Sequence, residues 1–256
     1  MINCEAIQKM SMKIERNVMK IIAHRCGTDK FPELTVDSAK NSLKEGAYLI
    51  EMDVHFTLDG IPVISHDANC KFLFGDEREI KEMTSSDFLS LKYKDNSGYS
   101  ATKLETFMEA GIKNILLHMK VGGDKLIDIL RLCRKYNVEN DVVFGVGSIG
   151  DVKTVKNFNE KIKVLAFMYD VDKIQEYADC GADYIRLWEH WITDENVKKV
   201  LETGKKLWIM SGDYETVGYT DFENISKWEK IGADAVLVNN VCEFLKEKKC
   251  TNFTMK

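Results

Sequence analysis

No apolar run in this 256-residue chain reaches the length of about 20 residues that a membrane-spanning helix needs. Residues 1–20 mix Glu5, Lys9, Lys13, Glu15 and Arg16 among their apolar side chains, so they lack the uninterrupted apolar core of a signal peptide. The seven cysteines include no Cys-x-x-Cys pair and no metal-finger spacing, and they read as reduced thiols of a cytoplasmic protein. Lys and Arg are scattered, and the formal net charge of -5 argues against a nucleic-acid partner or a polybasic membrane patch. Neither the Rossmann nor the Walker glycine pattern occurs, and no low-complexity linker marks a second domain.

What is present is a rhythm. Short runs rich in Val and Ile alternate with amphipathic segments, which indicates parallel strands joined by helices. Strands are expected at 19–24, 48–54, 114–119, 142–146, 164–168, 184–187, 207–210 and 235–238. Helices are expected at 36–45, 124–136, 151–158, 171–180, 194–203 and 221–230. Several helices run into a glycine before the next strand, at Gly46, Gly181 and Gly232, where glycine supplies a left-handed cap. Eight strands in a chain of this size predict an α/β fold, a (β/α)8 TIM barrel with its active site at the carboxyl ends of the strands. A doubly wound open sheet is the alternative. Between the second and third strands, residues 55–113 form an elaborated loop over the barrel mouth, with a turn at Asp59-Gly60 and helical pieces at 85–91 and 104–110. Residues 1–17 are expected to be a helical or disordered extension, and 18–256 a single barrel.

The chemistry concentrates in Leu49-Ile50-Glu51-Met52-Asp53-Val54-His55. Strand side chains alternate faces, so Glu51, Asp53 and His55 point one way and Ile50, Met52 and Val54 the other. Two carboxylates on the inner face of a buried strand repel each other and lose hydration, which a cation, a basic partner or water must offset; a metal-binding pair is the economical reading. Just behind comes Ile61-Pro62-Val63-Ile64 and then Ser65-His66-Asp67. Four of the five histidines, His24, His55, His66 and His118, fall at or after a strand's carboxyl end. A lone histidine is more often structural than catalytic, but His24 and His66 cluster with Arg25, Glu51 and Asp53.

These residues resemble the glycerophosphodiester phosphodiesterase family. Its ordered signature is matched by His24-Arg25-Cys26, Pro32-Glu33-Leu34-Thr35, Glu51-Met52-Asp53-Val54, Thr57-Leu58-Asp59-Gly60 and His66-Asp67, and more weakly by Leu104-Glu105, His118-Met119-Lys120 and Gly232-Ala233-Asp234. The resemblance implies metal-dependent hydrolysis of a small-molecule phosphodiester to an alcohol and a phosphomonoester inside a (β/α)8 barrel. It implies that Glu51 and Asp53 hold one divalent cation, as hard oxygen ligands suited to Mg²⁺ or Ca²⁺. His24 and His66 would then be the general acid and base, and Lys120 the phosphate-binding lysine. The guanidinium of Arg25 offers paired donors for phosphate, with Glu33 orienting it and His55 in a supporting place.

The chain also departs from the family pattern. His118 stands where the family has a third metal-binding glutamate. As a ligand it would shift preference toward Mn²⁺ or Zn²⁺; otherwise it leaves a two-carboxylate site or serves as a further proton-transfer group. Cys26 replaces a glycine, Leu34 an asparagine, and Met210-Ser211-Gly212-Asp213 a segment with a mouth tryptophan. Trp188, Glu189, His190 and Trp191 either wall an organic head group or pack the loop, and Gly145-Val146-Gly147-Ser148 is either a phosphate loop or a tight turn. These departures leave two alternatives to hydrolysis: a barrel that binds a phosphorylated ligand without turnover, and a phosphodiesterase that releases a cyclic phosphate. The sequence sets no oligomeric state.

Overall fold

A computed structural model describes residues 19–246. The expected extension at 1–17 lies outside these residues. The first strand, β1 (Lys20–Ala23), pairs in parallel with both β2 (Leu49–Phe56) and β10 (Ala235–Val238). From β2 the parallel ladder continues through β5 (Ile115–Met119), β6 (Val142–Val146), β7 (Lys163–Ala166), β8 (Tyr184–Trp188) and β9 (Lys206–Met210) to β10. These eight parallel strands close into a (β/α)8 barrel. Among the described residues no helix is long and apolar enough to cross a membrane.

Strand alternation divides the core in two. Ile22, Leu49, Leu116, Val143, Leu165, Trp208, Ala235 and Leu237 fill the barrel interior. Ile21, Ile50, Met52, Val54, Ile115, Leu117, Ile185 and Ile209 face the surrounding helices. Those helices include α1 (Val36–Glu45), α5 (Asp124–Lys135), α6 (Ile149–Phe158), α7 (Ile174–Asp179), α8 (Asp194–Glu202) and α9 (Phe222–Lys230). Fully burying each large aliphatic side chain stabilises by about 1.5–3 kcal/mol, so two apolar layers meeting across one sheet dominate the fold's energetics. At the end of α1 the chain turns through Gly46 with φ at 114°, as the left-handed cap requires. The helix expected over 171–180 is interrupted: Val171–Lys173 is a 3₁₀ turn, because the Asp170 carboxylate accepts from the Asp172 N–H and stops the α ladder there.

The interval after β2 is more ordered than a loop. Asp59 and Gly60 turn the chain into β3 (Pro62–Ile64), which pairs antiparallel with the upper half of β2, and β4 (Thr102–Lys103) pairs with β3. Between them, α2 (Lys71–Phe74) and α3 (Ser85–Ser90) bury Val63, Cys70, Phe74, Ile80, Met83, Phe88 and Tyr93 in a small core of their own. The second helical piece expected in this interval is α4 (Leu104–Glu109), which buries Leu104 and Phe107 in the barrel's outer layer and leads directly to β5.

Closure at the amino end of the barrel rests on Asp234. Its carboxylate accepts from the Trp208 indole at 3.1 Å and lies 3.2 Å from the Lys20 ammonium and 3.3 Å from that of Lys206. Its backbone carbonyl accepts from the Lys20 N–H. Burial alone would raise this carboxyl, but Lys20, the indole and Lys206 together hold it below its ordinary value. A depressed folded-state pKa gives stability that is fully present above the unfolded value of about 4 and is lost as pH falls through the folded one. Asp234→Ala should lower unfolding free energy by about 2 kcal/mol at pH 7, largely by stranding the buried indole N–H. In chemical denaturation the wild type should lose more stability than the variant as pH drops from 5 to 3; equal losses would place the stabilisation elsewhere.

Candidate active site

The barrel's inward positions become polar as β2 nears its carboxyl end. Glu51 and Asp53 are both fully buried there, and register sets Asp53 opposite His118 on β5. One Asp53 oxygen, Oδ1, accepts from His118 Nδ1 at 2.8 Å and from Lys120 Nζ at 3.0 Å. Glu51 Oε2 accepts the Arg25 backbone N–H at 2.8 Å, and Glu51 Oε1 lies 3.7 Å from His118 Nδ1. The two remaining oxygens, Glu51 Oε1 and Asp53 Oδ2, are buried with no hydrogen-bond partner among the described residues. Asp53, with a lysine and an imidazole on it, is held well below the usual carboxylate range despite its burial, whereas burial and the neighbouring Asp53 push Glu51 well above it.

Ligand atoms of Glu51, Asp53 and His118 lie within 4.8 Å of one another. Buried oxygens without partners are costly, so this trio fits a divalent cation: two carboxylates provide charge and free lone pairs. Burial, then the Lys120 charge, lowers His118 to about 4, so its ring is neutral at pH 7; Nδ1, which faces both carboxylates, would be its ligand atom, with the ring proton moved to Nε2.

His24 begins the 3₁₀ turn His24–Cys26 directly after β1. Its Nδ1 is 2.6 Å from Asn239 Oδ1, and Asn239 Nδ2 donates to the Val217 carbonyl, so the amide is oriented and His24 Nδ1 carries the proton. That leaves the Nε2 lone pair on the side of Glu51, 4.0 Å from Oε2. Burial, then the Arg25 charge, lowers His24 to about 3. His66 follows β3, binds Asp67 Oδ1 through Nδ1 at 2.7 Å, and keeps about a third of its side chain exposed. His55 holds the same loop, with Nε2 donating to the His66 carbonyl at 3.2 Å. Arg25 lies between both oxygens of Glu33, each at 3.3 Å from Nη1, while its Nε is buried without a partner. Lys120 thus contacts the Asp53 carboxylate directly, and the charge of His66 also acts on it.

Three inward residues had no place in the sequence reading. Asn239 orients His24; a polar residue straight after an all-apolar strand was its signal. Phe167 stacks on His118 with ring centroids 4.0 Å apart. Gly145 makes room for that ring, since a Cβ there would sit 2.5 Å from Phe167 Cε2. The glycines at 145–148 therefore serve packing, and Ser148 caps α6 by accepting from the Asp151 N–H, so no phosphate loop forms. The third is Arg186, an arginine at an inward position of apolar β8. Of the segment after β8, Trp188 packs on His190 and Tyr214, while Glu189 ties the loop to Gly212 and Asn224.

A candidate metal-binding trio, with the imidazole of His24 beside it, thus lies at the carboxyl end of a (β/α)8 barrel, where such barrels carry their active sites. The chain belongs to the glycerophosphoryl diester phosphodiesterase family, whose model matches residues 24–223. Human glycerophosphodiester phosphodiesterase 1 is 40% identical over 65 residues, covering 25% of this chain and 19% of the relative. A glycerophosphodiester phosphodiesterase of Caldanaerobacter subterraneus subsp. tengcongensis is 24% identical over 156 residues, covering 56% of this chain and 64% of the relative. The chain thus spans less than two thirds of the length of these curated relatives. Among solved structures, an Oleispira antarctica phosphodiesterase in complex with the product sn-glycerol-3-phosphate superposes with a TM-score of 0.76 at 16% identity, over 91% of this chain and 97% of that one. A Parabacteroides distasonis glycerophosphodiester phosphodiesterase gives 0.74 at 18%, over 92% and 98%.

Two departures from the family signature fall on left-handed backbone. Cys26 has φ at 66° and Leu34 at 57°, where glycine and asparagine are tolerated and other side chains cost about 1–2 kcal/mol. The turn is held by Ser42, whose hydroxyl donates to the Cys26 carbonyl at 2.7 Å, and by Ser38. Both side chains are buried, which offsets part of that cost. Burial, then Glu51, pushes the Cys26 thiol well above its ordinary value. Iodoacetamide at pH 8 should therefore leave Cys26 unmodified in the native protein and alkylate it once guanidinium unfolds the chain, as read by peptide mass spectrometry. Rapid native labelling would mean an accessible thiolate beside the carboxylates.

Proposed function

We propose that the protein hydrolyses a glycerophosphodiester to an alcohol and a phosphomonoester, glycerol phosphate, with one divalent cation held by Glu51, Asp53 and His118. The observation that carries this reading is the pair of buried, unpartnered oxygens, Glu51 Oε1 and Asp53 Oδ2, with His118 Nδ1 3.7 Å from the first and His24 Nε2 4.0 Å from the other Glu51 oxygen. The family membership supports the reaction class. The product-bound Oleispira antarctica structure supports a glycerol phosphate product. The catalytic unit is a single barrel over residues 18–256, and reduced thiols suit a cytoplasmic setting. A mixed oxygen and imidazole donor set admits Mn²⁺ or Zn²⁺ alongside Mg²⁺ or Ca²⁺.

When bound, the cation would neutralise a nonbridging phosphate oxygen. The chain's own groups do the rest. Arg25, braced by Glu33, and Lys120, anchored on Asp53, orient the phosphate. His24 is neutral at pH 7 with Nε2 facing inward, so it suits the role of general base toward the attacking water. Burial lowers His66, while the Asp53 and Asp67 carboxylates favour its charged form; as the more exposed of the two imidazoles it suits delivery of a proton to the leaving alkoxide.

Purified protein should turn over glycerophosphodiesters only with added divalent metal and lose activity to a chelator. His24→Ala and His66→Ala should each lower kcat by about 10²–10⁴-fold. Asn239→Ala, which frees the His24 ring without removing it, should cost about tenfold. Phosphorus NMR should show a phosphomonoester as first product. A cyclic phosphate would transfer the protein to the cyclising class, and inactivity over a broad metal and substrate panel would overturn the hydrolase reading.

A further inference from the structure

Arg186 is an interior cation with no counter-ion among the described residues. It lies on the inward face of β8 between the levels of Tyr184 and Trp188 and is only 2% exposed. One of its nitrogens, Nη2, donates to the Met168 carbonyl at 3.1 Å. Nε and Nη1 have no hydrogen-bond partner, and no carboxylate forms an ion pair with the guanidinium among the described residues. The faces of the guanidinium are covered by rings: Trp188 at 4.6 Å, Phe167 at 5.1 Å and Trp191 at 5.7 Å from Cζ. Ring faces attract the charge but leave the in-plane N–H groups unsatisfied. Burial lowers the group to about 10, so it is charged at neutral pH.

An unpaired buried charge is among the least favourable features a fold can keep, and it persists where a ligand completes it. The site lies beside the proposed chemistry: Phe167, which contacts Arg186, stacks directly on His118. Toward solvent at the same end of the barrel stand two exposed tyrosines, Tyr169 at 79% and Tyr214 at 72%, the latter packed on Trp188 with ring centroids 5.3 Å apart. The open cleft of about 460 Å³ beyond, lined by Glu189, Asp213 and Asp221 among others, is acidic and would repel an anion, which confines an anionic substrate arm to the mouth.

We propose that Arg186 forms an anion subsite for the alcohol arm of the substrate, so that the preferred phosphodiester carries a second negative group, a carboxylate or a phosphate, on the side away from glycerol. The inference rests on the phosphodiesterase reading and refines its substrate class. The same aromatic residues without the arginine would form a box for a quaternary ammonium; with a guanidinium already against the rings, a cationic head group is repelled.

Three diesters that share the glycerol phosphate half test this: those of glycolate, of glycolamide and of choline. The wild type should favour the glycolate diester in kcat/KM by about tenfold over the neutral amide, with choline last. Arg186→Met should bring the glycolate-to-amide ratio to about one, and Arg186→Lys should keep part of it. A wild-type ratio near one, a preference for choline, or a ratio unchanged in Arg186→Met overturns the subsite. Calorimetry of His66→Ala with the same diesters reads the subsite without turnover. If the wild type hydrolyses none of the three while this variant still binds the glycolate diester about tenfold more tightly than the amide, the subsite stands and the hydrolase reading falls. Equal binding of the two removes the subsite.

Discussion

The site depends on one electrostatic constraint: two carboxylates two residues apart on the inner face of a strand from which water is excluded. Strand geometry gives Glu51 and Asp53 no way to avoid each other, and burial denies them hydration. The surrounding residues divide the burden. Asp53 takes the Lys120 ammonium and the His118 imidazole on a single oxygen, and Glu51 takes a backbone N–H from the turn after β1. That last bond couples the carboxylates to the backbone of Arg25, whose left-handed conformation aims its N–H at Glu51 and places His24 on one side and the guanidinium on the other.

The barrel is a means of holding these groups in register. Parallel pairing puts Asp53 opposite His118, and His118 opposite Gly145, and the missing side chain at Gly145 gives Phe167 its place on the His118 ring. At the amino end, Trp208 and Asp234 fill and close the floor, so the polar groups are concentrated at the mouth. The insertion after β2 adds β3 along the free upper half of that strand, and His66 arrives at the carboxylates through this hairpin. His55 pins the arriving loop from below.

Much of this was legible in the chain. Alternation within residues 49–55 assigned Glu51 and Asp53 to one face, and the periodic exchange of apolar runs with amphipathic segments gave the barrel strands. The matches at His24, His66 and Lys120 to the family signature grouped residues far apart in sequence, and His118 was marked by its departure from it. What escaped was of three kinds. Asn239 and Arg186 act through neighbours that only the closed barrel supplies: Asn239 meets a histidine 215 positions away, and the isolation of Arg186 is visible only when no carboxylate is found near it. The insertion's internal core was read as a loop because its apolar residues are paired by tertiary contacts of short, irregular elements without a clear period. Cys26 and Leu34 were seen as departures in side chain, whereas their physical meaning is in the backbone, where both occupy the left-handed region.

The central claim is that Glu51, Asp53 and His118 together hold one divalent cation. Anomalous diffraction at the manganese edge from crystals grown with Mn²⁺ tests it most directly. One strong peak bounded by the two carboxylates and the His118 ring is the predicted result; a map with no peak there while Mn²⁺ is bound elsewhere on the molecule would contradict it.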